Sequence, residues 1–353
     1  MVKRLLIQTG KAVSLSEVGR QVAYVAEQMG YVVVLNRYMP TYILYNKMFS
    51  GAIFIYPANP LWCQHWFYHY IKAKTELRGK VVFYTVVEGI PKPQLIPEWV
   101  RKDIEFIACS HYVKTRLEKV GLRVRDVVHH GYLEAELSGL DELVEKYRRL
   151  LLEQFKDKVL FGYVGDIGFR KGVDKLLTAI NKLSEKRKDF QVLFITKKDI
   201  LRQIEKIPCT TLVSEMGFRS HSEIMAFYKS IDFLLFPTLS EGFGLPLLEA
   251  NAVGTPAIIN KLPPFEEYAD MKANLVLKSQ QHRIVDVGEG LYFDIYDYDV
   301  NELVALIDQA IDIKKNYPSQ YDDMKVKVQE RVKGMKSEVL YRKLIEFVEI
   351  ENK

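Results

Sequence analysis

Two glutamates, Glu241 and Glu249, stand with seven residues between them in the run Pro237-Thr238-Leu239-Ser240-Glu241-Gly242-Phe243-Gly244-Leu245-Pro246-Leu247-Leu248-Glu249-Ala250. Carboxylates accept hydrogen bonds from sugar hydroxyls, and glycines such as Gly242 and Gly244 let backbone approach a ligand closely. Pro246 suits the first turn of a helix, so that helix's unpaired amides should face the loop. A helix N-terminus favours an anion, and phosphate is the anion that most often exploits it. Glu249 lies early in the helix, where side chains lean back toward the N-terminus and so toward the same ligand. The segment reads as a site for a sugar carried on a diphosphate, with one carboxylate on ribose and the other near the transferred sugar. An ordinary strand–turn–helix unit with surface glutamates is the alternative.

A second constellation is Val164-Gly165-Asp166-Ile167-Gly168-Phe169-Arg170-Lys171-Gly172. Arg170 and Lys171 bring positive charge to an expected helix N-terminus, which is unfavourable for the helix alone and is offset if a diphosphate binds there. Arginine grips such a group bidentately, whereas lysine acts as a point charge. A solvated basic turn is the other reading. Gly162, Gly165 and Gly168 do not give the G-x-G-x-x-G spacing of a dinucleotide site. Glu88 ends the apolar strand Val81 to Val87, placing a carboxylate at a carboxyl edge, where open α/β sheets bind ligands. It could meet an acceptor hydroxyl or developing positive charge on a sugar, and a capping or turn role stays open. Thr9-Gly10 follows the first strand, with Ser14, Ser16 and Gly19 leading into the next helix, a pattern that many β–α turns share. Cys63, His65 and His69 lack a fourth ligand at zinc spacing, so no metal site is expected. Their aromatic stretch, Leu61 to Tyr70 and on to Lys72 and Lys74, is expected to pack on a sheet, with contact to a membrane interface as the alternative.

Elements that would position these residues follow from periodicity. Val2 to Ile7, Val32 to Leu35, Ala52 to Tyr56, Val81 to Val87 and Ile104 to Ala108 are strand-like, while Glu17 to Met29 and Tyr112 to Val120 have helical spacing. The charged stretch Asp141 to Phe155 leads into a new strand at Val159, a plausible boundary. Beyond it, strands Val159 to Val164, Val192 to Ile195, Thr211 to Val213, Ile231 to Phe236 and Ala257 to Ile259 alternate with helices at Val173 to Leu183, Ser222 to Lys229 and Leu245 to Ala252. The expected architecture is α/β: two doubly wound Rossmann-like domains facing a central cleft, with a helical, charged segment beyond Asp299.

A chain of 353 residues that is 48% hydrophobic can bury two ordinary cores. Net charge is +5, with about +6 in residues 1–155 and about −1 in the remainder. That asymmetry suits a phosphate-bearing acceptor or an anionic membrane surface, although solvated lysines explain it equally well. Three widely spaced cysteines argue against a disulfide framework. With no targeting segment and no apolar run long enough for a membrane span, a cytoplasmic location is expected, with peripheral membrane contact left open.

The run EGFGLPLLEA resembles the signature of retaining nucleotide-sugar glycosyltransferases of the GT-B fold, glycosyl transferases group 1 with the E-x7-E motif. Asn251 to Pro256, followed by Ala257-Ile258-Ile259, is similar to that family's next turn and strand. Gly165, Lys171 and Gly172 match its Gly-Arg…Lys-Gly phosphate motif, whereas Asp166 occupies the usual Arg position and Arg170 is the residue that would compensate. Phe106 to Lys114 and Val127 to Gly131 look like the family's strand–Ser–helix segment and later His-Gly turn, Gly10 stands where a loop closes over the donor, and many relatives carry His near Glu88. The resemblance spans Val2 to Tyr268 and implies an N-terminal acceptor domain (1–155), a C-terminal donor domain (156–335) and a last helix (336–353) returning to the first. It implies transfer of a hexose, with retention, from a nucleoside-diphosphate sugar to a hydroxyl of a glycan, lipid or small molecule. The donor is a co-substrate, no metal or other cofactor is expected, and nucleic acid is not the favoured partner. The implied catalytic residues are Glu241, Arg170, Lys171 and Glu88. The implied donor-binding residues are Gly10, Gly165, Arg170, Lys171, Glu241, Gly242, Phe243, Gly244, Leu245 and Glu249. A catalytically silent binding or partner subunit, and a nucleotide-sugar epimerase or nucleic-acid glucosyltransferase on the same fold, stay open as other functions.

Overall fold

The structure, a computed structural model, describes residues 3–37, 49–77, 80–278 and 281–349. Val2 and residues 350–353, at the two ends of the expected elements, lie outside these.

In chain order the first strands are β1 (Arg4–Thr9), β2 (Val32–Asn36), β3 (Gly51–Ile55), β4 (Val81–Thr85), β5 (Gly89–Pro91), β6 (Glu105–Ala108) and β7 (Arg123–Val127). All but β5 form one six-stranded parallel sheet of order β2-β1-β3-β4-β6-β7. A second six-stranded parallel sheet takes β8 (Val159–Val164), β9 (Phe190–Thr196), β10 (Thr210–Glu215), β11 (Phe233–Phe236), β12 (Ala257–Asn260) and β13 (Leu275–Leu277), in the order β10-β9-β8-β11-β12-β13. Apolar runs without polar alternation, such as VLFGYV in β8, are fully buried because parallel sheets are covered on both faces. Two Rossmann-like α/β domains result, and the chain has the GT-B fold expected from the sequence.

Strand order decides where ligands can sit. In open α/β sheets the crevice lies beyond the carboxyl ends of the strands, at the point where strand order reverses. In the second sheet that point falls between β8 and β11. The loops leaving these two strands carry Arg170, Lys171 and Glu241.

One local expectation needs correction, and two stretches form elements that periodicity does not predict. β4 ends at Thr85, so Glu88 stands at a bend three residues beyond the strand and directly before β5. β7, whose half-buried RVRDV sequence holds three charged residues and only two valines, carries too weak an apolar signal to be anticipated. Residues 281–297, between the expected last strand and the helical tail, form the hairpin β14 (Gln281–Asp286) and β15 (Leu291–Asp297). β15 pairs antiparallel with β5, so one small sheet joins the two domains beside Glu88. Lys92 reinforces it from its side chain, Nζ to Asp286 Oδ1 at 2.6 Å, and from its amide, to Gly290 O at 3.0 Å. Leu61 to Tyr70 leads into a helix, Gln64–Glu76, and packs on the first sheet as expected, Trp66 against Tyr56, Tyr70 against Phe54 and Phe67 against Phe83, while Trp62 and Tyr68 stay exposed.

Gly89 is where the bridging strands approach most closely, since an added Cβ would lie 2.9 Å from Phe293 Cα and nearer still to the Tyr292 carbonyl. Backbone cannot yield there without losing the pairing. Gly89→Ala is expected to cost about 1–3 kcal/mol, the usual range for overpacking. Urea denaturation checks this, and an unchanged midpoint would show that β5 is free to move.

The last helix, Ser337–Glu349, packs against the helix Val13–Gln28 and against β3 and β4 of the first domain. Ser337 Oγ donates to Gln21 Oε1 at 2.5 Å and Tyr31 Oη to Glu349 Oε1 at 2.5 Å. The chain's end is thereby fastened to its beginning.

Candidate active site

At the β8 turn, Phe169–Lys171 forms a single 3-10 turn that ends at Gly172 in the left-handed region, and the helix Val173–Ser184 follows. The Arg170 carbonyl accepts from the Leu239 amide at 2.7 Å and from Thr238 Oγ1 at 3.0 Å, so the β8 and β11 loops are stitched together by backbone. Both cationic side chains consequently point at the β11 loop. The Lys171 ammonium pairs with Glu241 Oε1, and Arg170 lies 3.6 Å from the same oxygen. Arg170 also reaches across the domain seam to Glu88 Oε1 at 3.2 Å. Burial and the neighbouring guanidinium lower the Lys171 pKa against the opposing pull of Glu241 and Glu88. Asp166, at the position where the resemblance leads one to look for arginine, pairs instead with Lys197 at 2.8 Å, and is held below the ordinary carboxylate range despite partial burial. Gly165 sits just before it, its carbonyl accepting from Thr196 Oγ1 at 2.7 Å.

Beyond β11, Gly244 caps the helix Leu245–Ala252 at φ 95°, a conformation that disfavours any side chain. Tyr268 Oη donates to the carbonyls of Phe243 (3.2 Å) and Gly244 (2.9 Å), and its ring stacks on Phe243 at 4.7 Å. The Phe243 side chain is therefore core, and only its backbone is available to a ligand. With those carbonyls engaged, the amides of Phe243, Gly244 and Leu245 donate to no protein acceptor among the described residues. Gly242 lies directly under the first domain: an added Cβ would come within 2.6 Å of the Val87 carbonyl, and the Gly242 carbonyl accepts from Ser110 Oγ at 2.8 Å. Ser240 Oγ donates in turn to Glu88 O at 2.6 Å.

Glu249, 5% exposed, lies one turn into the helix and accepts from His221 Nε2 at 3.1 Å. Gly10 directly follows β1 in the first domain, where an added Cβ would meet Tyr56 and Leu15. Close by, Val13 lies against Gly217 of the second domain. The fold thus gathers Glu88, Gly165, Arg170, Lys171, Glu241 and the Gly242–Leu245 backbone around one switch point, with Glu249 on the adjoining helix and Gly10 across the seam.

Several residues at this seam carry no signal in the sequence reading. Glu267 accepts the amides of His111 (2.9 Å) and Tyr112 (2.8 Å) and a contact from His129 Nε2 at 2.8 Å. Asp294, buried on β15, accepts from Tyr112 Oη at 2.8 Å and Arg116 Nε at 2.5 Å. His221 lies among Glu17, Arg20, Glu136 and Glu249. Only the capping box Ser220-x-x-Glu223 marks the last of these, and it announces a helix start rather than an ion cluster. Among the described residues, groups whose ligand atoms converge within 4.8 Å are His111, His129 and Glu267, and Glu17, Glu136 and His221. Neither includes Cys63, which is buried at the start of the helix Gln64–Glu76. No helix of the described residues is long and apolar enough to cross a membrane.

Residues 151–322 match the family described as glycosyl transferases group 1. An uncharacterised glycosyltransferase of Sulfolobus islandicus rod-shaped virus 1 is 28% identical over 339 residues, which are 94% of this chain and 97% of the viral one. Among solved structures, a glycosyltransferase from Rickettsia africae superposes with a TM-score of 0.72 over 99% of this chain and 98% of its own, at 13% identity. An Anabaena protein solved in complex with UDP and glucose superposes with a TM-score of 0.67 over 99% of this chain and all of its own, at 14% identity. At those identities the superpositions speak for the fold alone.

Proposed function

Starting from a chain that carries a glycosyl transferases group 1 domain on the GT-B fold, we propose that it moves a hexose, with retention of anomeric configuration, from a nucleoside-diphosphate sugar to an acceptor hydroxyl. The observation that carries this reading is the meeting of Arg170, Lys171, Glu241 and Glu88 at the switch point of the second sheet. Two cations and a helix N-terminus converge where a diphosphate would lie, and two carboxylates from opposite domains stand beside them. In this reading Glu249 accepts hydrogen bonds from the ribose hydroxyls. The free amides of Phe243, Gly244 and Leu245 donate to the phosphates or the sugar.

Catalysis is then electrostatic. As the bond from the anomeric carbon to the phosphate oxygen breaks, negative charge grows on the diphosphate and positive charge on the sugar. Arg170 and Lys171 stabilise the former more in the transition state than in the ground state, which is what lowers a barrier. Glu241 and Glu88, which pair with these cations, turn toward the sugar and the acceptor as phosphate takes their place. The acceptor oxygen bonds to the anomeric carbon from the face that the phosphate leaves, and its proton passes to the departing phosphate oxygen. All the positive charge this needs comes from the protein, so neither a metal nor another cofactor is assigned.

The acceptor is a hydroxyl on a glycan, lipid or small molecule. Leu61, Trp62 and Tyr68, exposed around the helix Gln64–Glu76, fit peripheral contact with a membrane on the cytoplasmic side. A thermal-shift series across UDP, GDP, ADP and their hexose derivatives is the first test. One nucleoside diphosphate should raise the melting temperature, by mass action on the folded state. With that donor and an acceptor panel, NMR of the product should show the donor's anomeric configuration. An inverted product would overturn retention, and binding without transfer or hydrolysis would favour a silent binding subunit.

A further inference from the structure

His221 is the first residue of the helix His221–Ser230, capped by Ser220 and Glu223. A cation in the first turn opposes the helix dipole, and a buried cation without partners is costly. Its surroundings offset both terms. With its side chain only 10% exposed, the ring lies 2.6 Å from Glu136 Oε2 and 3.5 Å from Glu17 Oε1 through Nδ1, and 3.1 Å from Glu249 Oε1 through Nε2. Arg20 approaches Nδ1 at 3.5 Å and is itself held by Glu17 and Glu136, each at 2.6 Å. Burial disfavours the imidazolium, yet the hydrogen bonds to Glu136 and Glu249 and the nearby carboxylates raise its pKa to about 10. Its charge therefore persists through neutral pH and is lost only as pH rises through that value. Both ring nitrogens donate only in the charged form, so only the imidazolium serves Glu136 and Glu249 together.

The partners come from different domains. Glu17 and Arg20 lie on the helix Val13–Gln28, just after Gly10, and Glu136 lies on Glu134–Leu137, just after the His129-His130-Gly131 turn. Glu249 belongs to the helix that leaves the β11 loop. We infer that His221 is a positioning residue: it fixes the Glu249 carboxylate through Oε1, and by its second nitrogen ties that carboxylate to the N-terminal domain. Nucleotide affinity and the seating of one domain on the other are thereby linked, and Glu136, which lies outside the donor site, helps set the affinity. This rests on the reading that Glu249 holds the ribose.

The experiment is calorimetric titration of the full chain with whichever of UDP, GDP or ADP raises its melting temperature, for wild type, His221→Ala, His221→Gln, Glu136→Gln, Glu249→Ala and the double variant His221→Ala/Glu249→Ala. His221→Ala should weaken binding on the order of 10-fold, within the range of couplings between contacting side chains. His221→Gln, which keeps one amide donor, should recover part of this. Glu136→Gln should weaken binding by roughly threefold, a smaller coupling of the same kind. The double variant should bind no more weakly than Glu249→Ala, and turnover at saturating donor should change less than the donor KM. Undiminished affinity in His221→Ala, or losses that simply add, would overturn the inference while Glu249→Ala still binds weakly. Wild-type affinity in Glu249→Ala would instead overturn the ribose reading, and this inference with it. Should His221→Ala fail to fold, Glu136→Gln and His221→Gln decide the matter by the same comparison.

Discussion

Arg170→Ala and Lys171→Ala are each expected to slow sugar transfer by roughly 10²–10³-fold, the loss that follows removal of one preorganised contact to developing negative charge. Both side chains are held in place by the protein, Lys171 by Glu241 and Arg170 by Glu88 and Glu241. Little reorganisation is needed when a diphosphate replaces those carboxylates. The Arg170 backbone is pinned by Leu239 and Thr238, so truncation of its side chain leaves the turn in place. Each truncation strands a largely buried carboxylate, so part of any loss can come from the fold. Melting temperatures and titration with bare nucleoside, which carries no phosphate, separate the two effects: a folded variant should bind nucleoside almost as wild type does while transfer collapses. With Asp166 paired to Lys197, Arg170 is the arginine left beside Lys171 at this turn. Near-wild-type transfer in a well-folded Arg170→Ala would show that it does not compensate for arginine at position 166. If Lys171→Ala were equally harmless, the diphosphate would have to be placed elsewhere in the cleft.

Glu249→Ala is expected to cost about 1.5–3 kcal/mol of nucleotide affinity, the range for a hydrogen bond to a charged group. In dissociation constant that is about 10- to 150-fold. The carboxylate is 5% exposed and already oriented by His221, so a ribose hydroxyl meets an acceptor that need not be ordered on binding. Truncation also leaves the His221 imidazolium with one carboxylate fewer, which makes the melting temperature a necessary companion measurement. Glu249→Gln, nearly the same shape without the charge, should fall between wild type and alanine. An unchanged dissociation constant in a folded Glu249→Ala would remove ribose from this residue.

Much of the local chemistry was legible because it is local. Pro246 and Gly244 mark a helix start whatever surrounds them, and the apolar runs of β8, β11 and β12 announce strands buried on both faces. The loops that follow such strands hold Glu241, Arg170 and Lys171, so these residues could be named from spacing and type. Strand order could not. Only the pairing of β8 with β11 makes their two loops neighbours and turns separate signals into one site. Glu88 shows the same division, since its chemistry was readable while its place beside Arg170 depends on β5 pairing with a hairpin that begins nearly two hundred residues later. β14 gave no apolar signal because it is mostly exposed and polar, and its position depends on pairing with β15. His221 lies furthest from what a linear reading can reach. Its partners stand 85 residues away at Glu136 and 28 at Glu249, and no periodicity encodes an ion pair between helices. Propensity, capping and turn chemistry act over a few residues and are written in order along the chain. The field at a buried charge is set by whichever groups lie within a few ångströms, and only the packed domains decide which those are.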